Sequence, residues 1–254
     1  MAVHGPVNWV QHFPIPFSKL YADGVISIPP GKLEHVNSGI LVTILIALFS
    51  ILAARRIRGR EAEFIIPPKR ATLPGLADFI MESLYGMVQG TLGPKTKDYF
   101  PFVGALFLFI LVSNLFGMIP YAGAPTSSLS TTLALGLATF VFYNAVGIRK
   151  MGLKSYLAHF LMGLGPAGIF IALLEVISHL LRPVTLGVRL GMNIMLDHQI
   201  LHTFENLVAW FVPVPLLLFG LVVCIIQAFV FATLTAVYIE LATETHEHEE
   251  AHGH

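Results

Sequence analysis

The chain has 254 residues, 55% of them hydrophobic and only 12% charged, with a mean hydropathy of +0.75. Charge this sparse is about half that of an ordinary soluble domain, which excludes a soluble globular fold and points to lipid as the surroundings. Fifteen basic and fifteen acidic residues cancel, so nothing in the total favours a nucleic-acid partner, and the lone Cys224 rules out an intrachain disulfide.

Residues 1–37 carry polar residues and prolines throughout and lack the apolar core of a secretory signal, so they read as an N-terminal extension. The first apolar run, 38–54 (SGILVTILIALFSILAA), is uncharged and just long enough to cross a hydrocarbon core of about 30 Å. It runs into Arg55, Arg56, Arg58 and Arg60, followed by Lys69 and Arg70. Such a basic cluster stays in the cytoplasm, which predicts an N-terminus outside. Residues 73–93 space Leu76, Phe79, Ile80, Leu84 and Met87 at helical intervals with Asp78, Glu82 and Ser83 between them. That pattern predicts an amphipathic helix along the membrane surface.

Residues 101–119 and 129–147 are each long enough to span, and the link PYAGAPTSS makes them an antiparallel pair. The second ends at Arg149, Lys150 and Lys154, again a cytoplasmic signal. Two unusually long segments follow, 165–206 and 214–241, separated by VPVP at 212–215. The polar, His/Glu-rich tail 243–254 is then cytoplasmic. The expected fold class is all-α: a polytopic membrane protein with about five crossing helices and one amphipathic surface helix. Residues 38–254 read as one membrane domain, with no fixed-period repeat.

Chemistry concentrates in 175–205, EVISHLLRPVTLGVRLGMNIMLDHQILHTFE. An ionisable residue at mid-membrane costs roughly 2.5–3.5 kcal/mol on insertion scales, so it usually has a task or a partner. At about 100° per residue, Glu175, Ser178, Arg182 and Asn193 share the face of Arg189, with His179 and Asp197 flanking it. His198, His202 and Glu205 fall on roughly the opposite face. Glu175 lies about 21 Å from Arg189 toward the cytoplasmic side, and His198 and His202 lie about 13–20 Å beyond it toward the outside.

This places two polar groups at different depths and on different faces, with one arginine between them. Imidazoles and carboxylates bind and release protons, whereas a guanidinium keeps its proton and can only attract a carboxylate. The pattern fits two half-channels separated by an arginine gate. In the last long segment Gly220, Gln227 and Tyr238 share a stripe, and Gln227 is placed to meet Arg189 or its neighbours.

The segments RPVTLGVRLGMN and IIQAFVFATLTAVYIELA, with the earlier SNLFGMIP and APTSSLSTTLALGL, resemble subunit a of F-type ATP synthases over residues 35–242. The resemblance implies that Arg189 is the essential gate, with Asn193, Gln227 and Tyr238 as its polar neighbours. It makes Glu175 the cytoplasmic-channel glutamate and puts His198 at a protonatable inlet position. Asp197-His198 and Gly220 depart from residues common in the family. The resemblance further implies a strongly tilted C-terminal helix hairpin against a ring of c subunits. It implies b-type peripheral-stalk and other synthase subunits as partners and no cofactor. The N-terminal extension and the positive-inside pattern favour a bacterial inner membrane, with an organelle membrane as the alternative.

Blander readings stand beside these. Arg189 serves as a structural ion-pair residue in one, and Arg182, beside Pro183, snorkels to the cytoplasmic surface in another. Ser113 and Asn114 read as helix-binding polar residues, and Gly187, Gly191 and Gly220 as sites of close helix approach. The HEHEEAHGH tail has metal-binding side chains without a scaffold to fix them. No P-loop, HExxH or GxSxG pattern occurs, so the chain is expected to bind and hydrolyse no nucleotide itself. A self-contained transporter is the rival class, and it calls for a repeat-interface substrate site that the sequence does not offer.

Overall fold

The computed structural model describes residues 34–57, 73–119, 124–153, 156, 166–205 and 213–244. Among these, every regular element is helical. They are α1 (Glu34–Ile57), α2 (Leu73–Leu92), α3 (Thr96–Gly117), α4 (Leu129–Met151), α5 (Pro166–Glu205) and α6 (Pro213–Glu244). Single 3-10 turns precede α3 and α4. The N-terminal residues 1–33, the basic residues Arg58, Arg60, Lys69, Arg70 and Lys154, and the tail 245–254 lie outside the described residues.

Four stretches are long and apolar enough to cross a membrane: His35–Leu52, Asp78–Gly117, Leu129–Met151 and Pro215–Thr243. The 40-residue α5 is longer than any one span requires, about 60 Å. Its apolar sequence is interrupted by Glu175, His179, Arg182 and Arg189.

The expected amphipathic helix at 73–93 corresponds to α2, whose apolar side is turned onto protein. Leu84, Val88 and Leu92 are buried in the common core, while Asp78, Glu82 and Ser83 are exposed. Tyr85 meets Phe100 of α3 edge to face, with ring centres 5.0 Å apart. Thr233 of α6 donates to Met87 Sδ at 3.1 Å. Gly93, at φ 55, occupies the left-handed region that side chains avoid, so the chain turns there from α2 into α3.

Lipid is as apolar as leucine, so helices here associate through close packing and polar contacts more than through water exclusion. α6 sits at the centre and presents Ala228, Ala232, Ala236 and Ala242, all buried, to its neighbours. Phe107 and Ile110 of α3 and Leu186 and Leu190 of α5 fill the same core. α1 lies at the edge, with Ile44, Leu48 and Phe49 exposed.

The nearest approach is between α4 and α5. A Cβ on Gly136 would run into the Pro183 carbonyl oxygen, and one on Gly187 would lie 2.7 Å from the Thr132 carbonyl oxygen. The two backbones therefore touch. This contact fixes how far apart the side chains of the two helices sit along their whole length.

Orientation follows from the contacts. Lys95, at the start of α3, pairs with Glu240 near the end of α6 at 3.4 Å. Lys150, at the end of α4, lies 5.6 Å from the Tyr99 ring. The start of α3 and the ends of α4 and α6 thus share one basic end, where Arg149 also lies.

Substituting Gly136→Ala or Gly187→Ala should force α4 and α5 apart and destabilise the fold by about 1–3 kcal/mol. Heat-induced loss of the solubilised protein should shift accordingly. Gly86→Ala is the control, because its Cβ meets nothing within 4 Å. Equal heat resistance of all three variants would exclude close packing as the function of these glycines.

Candidate functional site

α5 carries its polar residues past three neighbours in turn. Buried Leu186, Leu190 and Ile194 set its inner face, while Arg189, Met192 and Leu196 are exposed. Arg189 therefore stands on an outward face, with exposed Thr185 one turn before it and the apolar Met192 and Leu196 beyond. No ion pair to it is found among the described residues; the Lys95–Glu240 pair is the one they contain.

One helical turn on, Asn193 Nδ2 donates to Gln227 Oε1 at 2.9 Å and ties α5 to α6. Gln227 thus meets a neighbour of Arg189. Tyr238 lies farther along α6, toward the basic end, and its ring stands 5.4 Å from the Arg182 guanidinium carbon. Arg182, for which the sequence offers snorkelling to the cytoplasmic surface, is held over an aromatic face, where a guanidinium gains about 0.5–2 kcal/mol.

Toward the same end His179 enters a polar cluster. Its Nε2 lies 2.9 Å from Asn144 Oδ1, and the Tyr156 hydroxyl donates to the same oxygen at 2.7 Å. Asn144 Nδ2 donates to the Phe140 carbonyl at 2.7 Å. The rings of Phe140 and Tyr143 pack on His179 at 5.2 and 5.4 Å. Tyr156 reaches the cluster because Gly152, at φ 76, ends α4 and the chain doubles back. Its ring then lies where a Cβ on Gly147 would be 2.7 Å away. Burial holds the Tyr156 hydroxyl above its ordinary pKa of 10.0, against the opposing charge of Arg182, so it remains a donor.

Glu175, half-buried, and Ser178, exposed, lie on α5 beside His179. Asp197, His198, His202 and Glu205 belong to the α5 helix, but their side chains lie outside the described residues.

On the other side of Arg189, a cavity of about 130 Å³ opens between α3, α5 and α6. Asn114, Met118, Ile194, Gly220 and Cys224 are among its lining. Asn114 is buried; its Oδ1 accepts from Thr126 at 2.9 Å, and its Nδ2 has no hydrogen-bond partner in the structure.

Sequence reasoning passed over Asn144, Tyr156 and the Lys95–Glu240 pair. Asn144 carried a signal, since a carboxamide inside an apolar span needs a partner as a charge does. Tyr156 carried none, because only the turn after α4 brings it back.

Together the helices and these clusters define a polytopic, all-helical membrane protein that keeps ionisable side chains within its helix packing. The family model described as ATP synthase A chain matches residues 36–240, and the chain belongs to that family. ATP synthase subunit a of Bdellovibrio bacteriovorus is 38% identical over 200 residues, 77% of this chain and 85% of that protein. That of Sorangium cellulosum is 38% identical over 216 residues, 82% of this chain and 83% of its own length. The Geobacter sulfurreducens protein is 36% identical over 208 residues, covering 80% and 85% of the two chains.

The Asn193–Gln227 contact should behave as interhelical hydrogen bonds in membranes do. Asn193→Ala and Gln227→Ala should couple by about 0.6 kcal/mol, and by no more than about 1.7 kcal/mol, in a double-mutant stability cycle. Strictly additive losses would show that the bond contributes nothing.

Proposed function

We propose that the chain is the proton-translocating stator subunit of an F-type ATP synthase, working with a ring of c subunits through two offset half-channels and the Arg189 gate. The observation that carries this reading is the position of Arg189. It is exposed on the face of α5 between the cavity beside Asn114 and Gly220 and the polar cluster around His179.

A proton enters from the outer side, past the cavity and the side chains His198, Asp197, His202 and Glu205. It loads a carboxylate on a ring subunit that has left Arg189. After nearly a full turn of the ring it leaves past Glu175, Ser178 and His179. Arg189 attracts each returning carboxylate in its charged form and displaces its proton toward the exit. Because a guanidinium never gives up its own proton, no direct path joins the two sides. Asn193, bonded to Gln227, keeps the α5–α6 seam in register beside the gate, and Tyr238 steadies Arg182. Each proton crossing releases about 2.3 kcal/mol per 100 mV, which the assembly takes up as rotation.

The basic end formed by Arg149, Lys150 and Lys95 faces the cytoplasm of a bacterial inner membrane. This puts the N-terminus outside and the C-terminus inside. A b-type stalk holds the subunit against the turning ring. Nucleotide chemistry belongs to other subunits of the synthase, and the chain acts as a non-catalytic component.

Arg189→Ala should abolish proton-driven ATP synthesis in vesicles carrying the assembled complex. Glu175→Gln should slow passive proton flux through the membrane sector, because the amide cannot bind and release a proton as the carboxylate does. Undiminished synthesis in the first variant would overturn the gate, and unchanged flux in the second would overturn the exit path.

A further inference from the structure

In the His179 cluster two donors converge on one oxygen, and the identity of that oxygen matters. The Phe140 carbonyl accepts only, so the Asn144 nitrogen must face it, and Oδ1 must be the atom toward Tyr156 and His179. A carbonyl oxygen also accepts only. Nε2 of His179 therefore carries a hydrogen, and the Tyr156 hydroxyl points its own at the same atom.

A chain of hydrogen bonds moves a proton only if every member both accepts and donates. An amide oxygen is too weak a base to take the Nε2 proton, and it has none to hand to Tyr156. The line His179–Asn144–Tyr156 is thus closed to protons, although it is made of polar groups at bonding distance.

We propose that Asn144 is a positioning residue that holds His179 as an Nε2–H donor and seals the α4–α5 seam, so that exit-side exchange uses Nδ1 alone. This rests on the exit path described above. A proton bound at Nδ1 gives the imidazolium and leaves again from Nδ1, while the Nε2 hydrogen stays on Asn144. Among the described residues, the charged and titratable groups around the imidazole are Tyr143 from α4, Tyr156 after it, Arg182 and Glu175 from α5, and Tyr238 from α6. Of these Tyr156 lies beyond the seal and outside the conducting route.

The test uses vesicles carrying the whole synthase, with passive proton flux measured after removal of the nucleotide-binding sector. N144D replaces the stop with a carboxylate, which takes a proton on one oxygen and releases it from the other. Flux should rise at least about threefold, and N144D combined with Y156F should return it to the parent value. A residue that only supports packing would lower flux or assembly, without this dependence on Tyr156. Unchanged flux in an assembled N144D complex would overturn the proposal. Y156F alone stands whether or not N144D assembles: its flux should stay within about twofold of the parent, and a tenfold loss in the assembled complex would show that protons pass through Tyr156. E175Q in the same vesicles separates the two readings, because unaltered flux there removes the exit path whatever N144D does.

Discussion

The close approach of α4 and α5 governs the rest of the molecule. Backbone meets backbone at Gly136 and Gly187, and Gly191 faces Thr132 nearby, where a Cβ would be 2.8 Å from the Thr132 hydroxyl. Helix phase then does the rest. With the glycine face of α5 pressed on α4, the polar residues toward its basic end meet the last turns of α4, and Arg189 is carried to the exposed surface. The same contact thereby delivers His179 to Asn144 and keeps Arg189 away from α4. Any side chain at these positions would change both.

Pro183 lies inside this contact. It supplies no N–H to the His179 carbonyl, so the helix loses one rung beside the polar cluster. Just beyond it the single hydroxyl hydrogen of Thr185 is shared between the carbonyls of Leu181 and Arg182, at 3.0 Å each. Gly136 then accommodates the Pro183 carbonyl directly. Local irregularity in α5 and the smooth, small-residue face of α4 are complementary, and neither is stable in lipid without the other.

The helices were legible because apolar run length and flanking basic residues report membrane crossing with few competing signals. α2 shows where that reasoning stops: its amphipathic period was plain, but periodicity says that one face is apolar and not what covers it. α4 and α6 cover it. Within the site, Arg189, Asn193 and Gln227 were legible as polar residues in apolar sequence, and the stripe of Gly220, Gln227 and Tyr238 placed Gln227 to meet Arg189 or a neighbour, which is Asn193. Tyr238, which the resemblance makes a polar neighbour of Arg189, lies beside Arg182, a contact that helical phase does not predict because it fixes a residue's face and leaves its partner's depth open. Asn144 and Tyr156 become neighbours through the φ 76 turn at Gly152, a tertiary event with no periodic trace.

Arg182 and Arg189, seven residues apart on one helix, meet opposite solutions to the same cost. A guanidinium in a membrane needs a hydrated route, an aromatic face or an anion. Arg182 takes the ring of Tyr238. Arg189 faces outward among Met192 and Leu196, and the described residues hold no anion for it. Under the proposed mechanism its charge is met by a partner, and a carboxylate that arrives and departs does so only for part of each cycle. In the proposed reading this incompleteness is the functional property: a gate whose own chain neutralised it would have nothing left with which to draw the next carboxylate in.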